Sequence, residues 1–180
     1  MISAATPART TRPENGEFAS YYARYLERLP DGDIVRFLDE QIVETLSLLA
    51  SVPEERAGHR YAAGKWSIRE VVGHLCDSER VMAYRATRFA RADQTELPGF
   101  DENSYVANGR FDERTLASLA DECEAVRWAS VALFDSLNDE ELMRRGVANG
   151  HPVTVRALAW IIAGHERHHV ELLRTRYLAT

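Results

Sequence analysis

Residues 165–169 read His165-Glu166-Arg167-His168-His169, a match to H-E-x-x-H. In metalloproteases that pattern sets two zinc-ligating histidines one helical turn apart, with the glutamate as general base. Residues four apart on a helix share a face, with Cβ atoms about 5–6 Å apart, so His165 and His169 can address one ion. Both fall on an apolar stripe with Leu158, Ile161, Ile162 and Leu172, which turns their imidazoles towards a core. A single histidine in such a stripe is ordinarily satisfied by hydrogen bonds. Two buried imidazoles need partners for four ring nitrogens, and a metal takes one nitrogen of each. His74, in "SIREVVGHLCDSERV", follows Val71 by three and adjoins Leu75, on or beside the inward face of its own helix. Facing helices of a bundle supply convergent ligands. His74, His165 and His169 therefore form a candidate metal site, with the three ligands and open position of catalytic zinc. Nickel, iron and other divalent ions suit the same ligand type.

The neighbouring residues divide less cleanly. His168 competes with His169 as partner to His165, although the i+4 spacing suits a shared ion better. Asp77, one turn after His74, is either a solvated carboxylate or the group that holds a ligand imidazole by its second nitrogen. His59 and His151 sit in the turns "AGHRY" and "NGHPV" and read as surface residues. Glu166 is about 100° around the helix from His165. Only eleven residues follow His169, which leaves little room for the downstream third ligand of a metalloprotease. No edge strand is expected that would bind an extended peptide. The protease reading is set aside and the histidine pair retained.

Four helices must position these residues. The first runs from Asp33, a good N-cap, to about Ala50, with Ile34, Phe37, Leu38, Ile42, Leu46 and Leu49 on its apolar side. The second opens at the capping box Ser67…Glu70 and continues to about Arg91. The third spans about Asp112 to Leu137 and the fourth Thr154 to about Leu178. A shorter helix at "FASYYARYLERL" precedes them, ended by Pro30 and Gly32. Residues 92–111, with Pro98, Gly99 and Gly109, read as one long connection, and "GVANGHPVT" as a turn-rich connector. The expected fold is all-α, a four-helix bundle with a short extra N-terminal helix, over residues 16–180. Residues 1–15, rich in Thr, Pro and Arg and without the apolar run of a secretory signal, read as a disordered arm. The order of up and down is not readable.

The 180 residues carry a formal charge of −6, the wrong sign for a nucleic-acid footprint, and no apolar run is long enough for a membrane helix. Cys76 and Cys123 form no metal or redox motif and fit reduced thiols in a cytoplasmic chain, with one disulfide between them as the alternative.

The segments "KWSIREVVGHLCDSERV", the Pro-Gly loop with "FDENSY", and "TVRALAWIIAGHERHHVELLRTRYL" together resemble the DinB-like superfamily, and its YfiT-like branch most. The likeness covers roughly residues 33–178 in matching order. It implies a four-helix bundle, frequently homodimeric, holding one divalent metal, zinc or nickel, on His74, His165 and His169. It also implies an activity: transfer of a low-molecular-weight thiol to an electrophile. The alternatives are hydrolysis by a metal-activated water, or a non-catalytic metal-binding bundle. Arg80, Arg85, Arg88 and Arg91 are candidates to meet carboxylates of such a thiol, or else form a solvated basic face.

Overall fold

In the computed structural model, which describes residues 7–179, the four long helices are α2 (Ile34–Ala50), α3 (Ile68–Ala90), α5 (Leu116–Asp135) and α7 (Val155–Leu172). The short α1 (Ala23–Leu26) comes first, and α4 (Glu102–Gly109) and α6 (Asp139–Met143) lie in the connections. The helix starts follow local chemistry. Asp33 accepts from the amides of Val35 and Arg36, Ser67 and Glu70 form a reciprocal capping box, and Thr154 accepts from the Ala157 amide.

Each of α2 and α3 packs against both α5 and α7. Two apolar clusters fill the bundle. One holds the start of α2, the ends of α3 and α5 and the start of α7; the other holds the opposite halves. Hence α2 and α7 run one way, α3 and α5 the other, and consecutive long helices α2 and α3 sit across the bundle from each other. Between the clusters lies a belt of buried polar side chains: Gln41 and Thr45 on α2, His74, Ser78 and Glu79 on α3, Arg127 and Ser130 on α5, Glu166 and His169 on α7.

Five features depart from the sequence reading. The connection 92–111 is not helix-free, because Asp101 caps α4 through the amides of Asn103 and Ser104. The connector before α7 is a hairpin, β1 (Arg145–Ala148) against β2 (His151–Thr154), turning on Asn149 and Gly150, both at positive φ as a type I′ turn requires. The third helix starts at Leu116 after Thr115, and the last turn of the fourth widens into a π-helix over Leu173–Tyr177. Residues 7–15 of the expected arm are packed on the bundle, while residues 1–6 lie outside the described residues. Ala8 donates its amide to Asp139, Arg9 pairs with Asp33, and Arg12 donates to the carbonyls of Leu26 and Leu29 past the end of α1. Buried Glu17 accepts from Thr154 and Arg156 at the start of α7.

Cys76 and Cys123 are joined in a disulfide, with Cα atoms 5.3 Å apart, tying α3 to α5. Of the two readings of these cysteines this is the disulfide and not the expected reduced thiols, and it removes the support they lent to a cytoplasmic setting. No helix among the described residues is long and apolar enough to cross a membrane.

Candidate metal centre

His165 and His169 occupy successive turns of α7, and His74 meets them from α3, which packs alongside. The Nε2 atoms of His74 and His165 are 3.0 Å apart and those of His165 and His169 3.1 Å apart. One ring nitrogen from each of the three residues lies within 4.8 Å of the others. The candidate ligands, drawn from helices 91 residues apart in sequence, are thus brought together.

The chemistry of this donor set suits a cation. Burial drives the His74 pKa down to about 4. Burial first, and the neighbouring imidazoles second, hold His165 and His169 well below the ordinary histidine value. Neutral imidazoles keep a lone pair on one nitrogen. The single Nε2 of His165 faces two other Nε2 atoms and can donate at most one proton between them. A small cation at the common point takes all three lone pairs. Nitrogens bound tetrahedrally to zinc at about 2.0–2.1 Å sit roughly 3.3 Å apart, close to the two short spacings here.

The rings are held from behind. Trp66 packs on His74 with ring centroids 4.6 Å apart, and Tyr25 stands edge-on to His165 at 5.4 Å. Tyr25 comes this close because α1 crosses α7 at Gly164, where a Cβ would collide with the Tyr25 carbonyl. Ser78 Oγ lies 3.4 Å from Nδ1 of His74, whereas Nδ1 of His169 is buried without a partner among the described residues. Asp77, the candidate for the Ser78 role, is instead 3.6 Å from Arg80. The four-residue rule that paired His165 with His169, applied downstream of His74, lands on Ser78. His168 stays outside the cluster, half-buried against the Tyr25 ring, and His59 and His151 are exposed.

Glu166, the would-be general base, points away from the histidines. It pairs with Arg127 of α5 and accepts from Thr45 of α2. Arg127 also makes a two-point contact with Glu79, at 2.9 and 2.8 Å, and donates to the Leu38 carbonyl. Sequence reading did not find Arg127, Thr45, Tyr25 or Trp66. Arg127 falls in the apolar stretch of α5 and its partners are distant in sequence.

A cavity of about 330 Å³ opens beside this layer. His165 is the one of the three histidines that lines it, with Tyr22, Tyr25, Met82, Arg85, Phe100 and Ile162 among the other walls. Of the four candidate arginines, Arg80, Arg88 and Arg91 are partly exposed and paired with Glu122, Asp93 and Glu141, a basic face with partners of its own.

A bundle of this topology with three inward histidines defines a class, and the comparisons with known proteins agree. Residues 38–173 match the model of the DinB superfamily, and the chain belongs to that superfamily. It is 30% identical to a Bacillus licheniformis protein named "Putative metal-dependent hydrolase", over 69% of this chain and 72% of that one. Its fold matches YfiT of Bacillus subtilis, described as a probable metal-dependent hydrolase with an unusual four-helix bundle topology, at a TM-score of 0.68 and 17% identity, covering 91% and 92% of the two chains. It also matches a mycothiol-dependent maleylpyruvate isomerase at a TM-score of 0.63 and 12% identity, covering 86% of this chain and 63% of that one.

Proposed function

We propose that this protein is a metal-dependent enzyme in which His74, His165 and His169 hold one divalent ion, zinc or nickel, and which transfers a low-molecular-weight thiol to an electrophile bound in the adjoining cavity. The observation that carries this reading is the convergence of three imidazoles, two buried and the third, the half-buried His165, in the wall of a cavity large enough for a small substrate. A divalent ion held there supplies acidification of the nucleophile, so that it is deprotonated at neutral pH. The chain's own residues do the rest. The imidazoles offer lone pairs because burial keeps them unprotonated, and Ser78, Tyr25 and Trp66 fix the ring planes.

The mycothiol-dependent relative favours a thiol as co-substrate, while the hydrolase names of other relatives favour water in the same place. Both readings need the ion and neither needs Glu166. A homodimer belongs with this proposal as a property of the resemblance. A non-catalytic scaffold is the reading that remains if no turnover is found.

The test begins with elemental analysis of the purified protein, where about one divalent ion per chain is expected. A screen of thiols against electrophiles, with and without the metal, follows. The His165→Ala variant should lose metal and activity together. Full conjugation by metal-free His165→Ala would sink the proposal, and turnover of esters or amides without any thiol would move it to the hydrolase form.

A further inference from the structure

Among the described residues three arginines are buried: Arg85, Arg127 and Arg156. Arg127 is matched by Glu79 and Glu166, and Arg156 by Glu17. Arg85, only 5% exposed, is matched by no carboxylate. Its Nη2 donates to the Pro98 carbonyl at 2.8 Å and its Nη1 lies 3.7 Å from the Met82 sulfur, neither of which carries charge. A guanidinium cannot shed its proton, and a desolvated charge without a counterion is costly. In this protein that charge lies in the wall of the cavity that also contains His165.

The three carboxylates in the same wall, Glu79, Glu102 and Glu166, do not answer it, Glu166 being paired with Arg127. Glu79 is engaged by Arg127, and Glu102 is exposed on the short α4. The surroundings of Arg85 are those of a ligand's body instead. Phe100 has its ring centroid 5.9 Å from the guanidinium carbon, and Tyr21 and Tyr22 complete an aromatic rim.

We infer that Arg85 is the anchor for an anionic group on the substrate, so that the cavity selects an elongated small carboxylic acid with a flat or aromatic body. The carboxylate pairs with Arg85 and the reacting end lies at the histidine cluster. His74 and Arg85 are eleven residues apart on α3, roughly 16 Å of helix at about 1.5 Å per residue. The arginine side chain leans back towards the helix N-terminus and shortens that gap. The selected acid is therefore longer than acetate or formate. A carboxylate answers a guanidinium at two points, with charge on both sides of the hydrogen bonds. This inference rests on the proposed reacting centre only for the second end of the ligand. The anion anchor itself requires no metal.

The experiment uses the full chain, both as isolated and after treatment with a chelator, and measures binding of 3-phenylpropionate against its neutral isostere 3-phenylpropionamide by titration calorimetry. Wild type should prefer the acid by tenfold or more. Arg85→Gln should weaken acid binding roughly tenfold to a hundredfold and leave the amide unchanged, and Arg85→Lys should keep most of the preference. The pattern should persist without metal, which separates this test from the fate of the metal proposal. Equal binding of acid and amide by wild type, no binding of either, or an intact preference in folded Arg85→Gln would overturn it. So would acid binding that disappears with the metal and ignores Arg85, because the metal would then be the anion's partner. If Arg85→Gln fails to fold, Arg85→Met, an uncharged side chain of similar length, takes its place with the same expected and overturning results.

Discussion

Two polar groups share the middle layer of this bundle and resolve opposite problems. The Arg127 group is closed. One guanidinium, its side chain 2% exposed, is matched by two carboxylates and a backbone carbonyl, and the Thr45 hydroxyl donates to one of those carboxylates, Glu166. The histidine group is open: three imidazoles face a common point that no protein group among the described residues fills, in a layer where His165 and the Arg127 group line the same cavity. The H-E-x-x-H string is divided between them. His165 and His169 belong to the open group and Glu166 to the closed one, although all three stand within five residues of one helix. Adjacency in a motif carried no information about adjacency in function; the direction around the helix did.

That contrast can be broken first at Arg127. Arg127→Met leaves Glu79 and Glu166 buried without their cation, which should destabilise the fold by about 3–5 kcal/mol, the usual result of stripping one partner from a buried pair. Urea unfolding gives the value directly. Glu166→Gln should be far milder and should retain the bound metal and the reaction. A loss of catalysis by about a hundredfold or more in a folded, metal-loaded Glu166→Gln protein would return Glu166 to the role of general base and erase the division drawn here.

The sequence made the open group legible and the closed one nearly invisible, for a physical reason. Two histidines in an apolar stripe violate the expected pattern at the right period, so His165 and His169 announce themselves, and Val71 and Leu75 place His74 on the inner face. The capping residues Asp33, Ser67 and Thr154 located three of the long helices because capping is local chemistry. Arg127 is a charged residue whose compensation comes from Glu79 and Glu166, 48 and 39 residues away. Nothing local distinguishes it from a solvated arginine. Residues 7–15 were misread for the same reason, since Arg9 and Arg12 find their partners on other elements. The disulfide joins cysteines 47 residues apart, a pairing that spacing does not reveal. The hairpin at Asn149-Gly150 carries a local turn signal, but its strands of four residues each are too short to show a period-two pattern.

Acid should separate the two groups next. His74 titrates near 4 in the folded chain, held there by burial, and His165 and His169 also lie well below the unfolded value near 6.5. With folded values below unfolded ones, the unfolded chain binds more protons as pH falls. Stability is thus complete above about pH 6.5 and declines from there towards the folded values, by up to about 1.4 kcal/mol per pH unit for each histidine. Chelator-treated wild type should show this decline in its melting temperature between pH 6.5 and 5. The His74→Ala variant should show a shallower one. Identical slopes would mean that the buried imidazoles do not set the acid response.

The smallest effect tests the choice of the second ligand on α7. His168 and His169 are consecutive, and a rotation of α7 by one residue would exchange them. The packing opposes that exchange. His169 is buried beside His74, at a ring-centroid distance of 5.0 Å, whereas His168 rests half-buried on Tyr25 at 5.4 Å. Burial also lowers the His168 pKa, with the Arg28 and Arg24 charges adding to it, so a low pKa on α7 does not by itself mark a ligand. Truncating His168 removes an aromatic contact at a partly solvated site, a change worth about 1 kcal/mol or less. His168→Ala should therefore keep one divalent ion per chain with a slightly lower melting temperature, while His169→Ala should lose the ion. Retention by His169→Ala and loss by His168→Ala would place the ligand one residue earlier and turn α7 about 100° from the orientation described here.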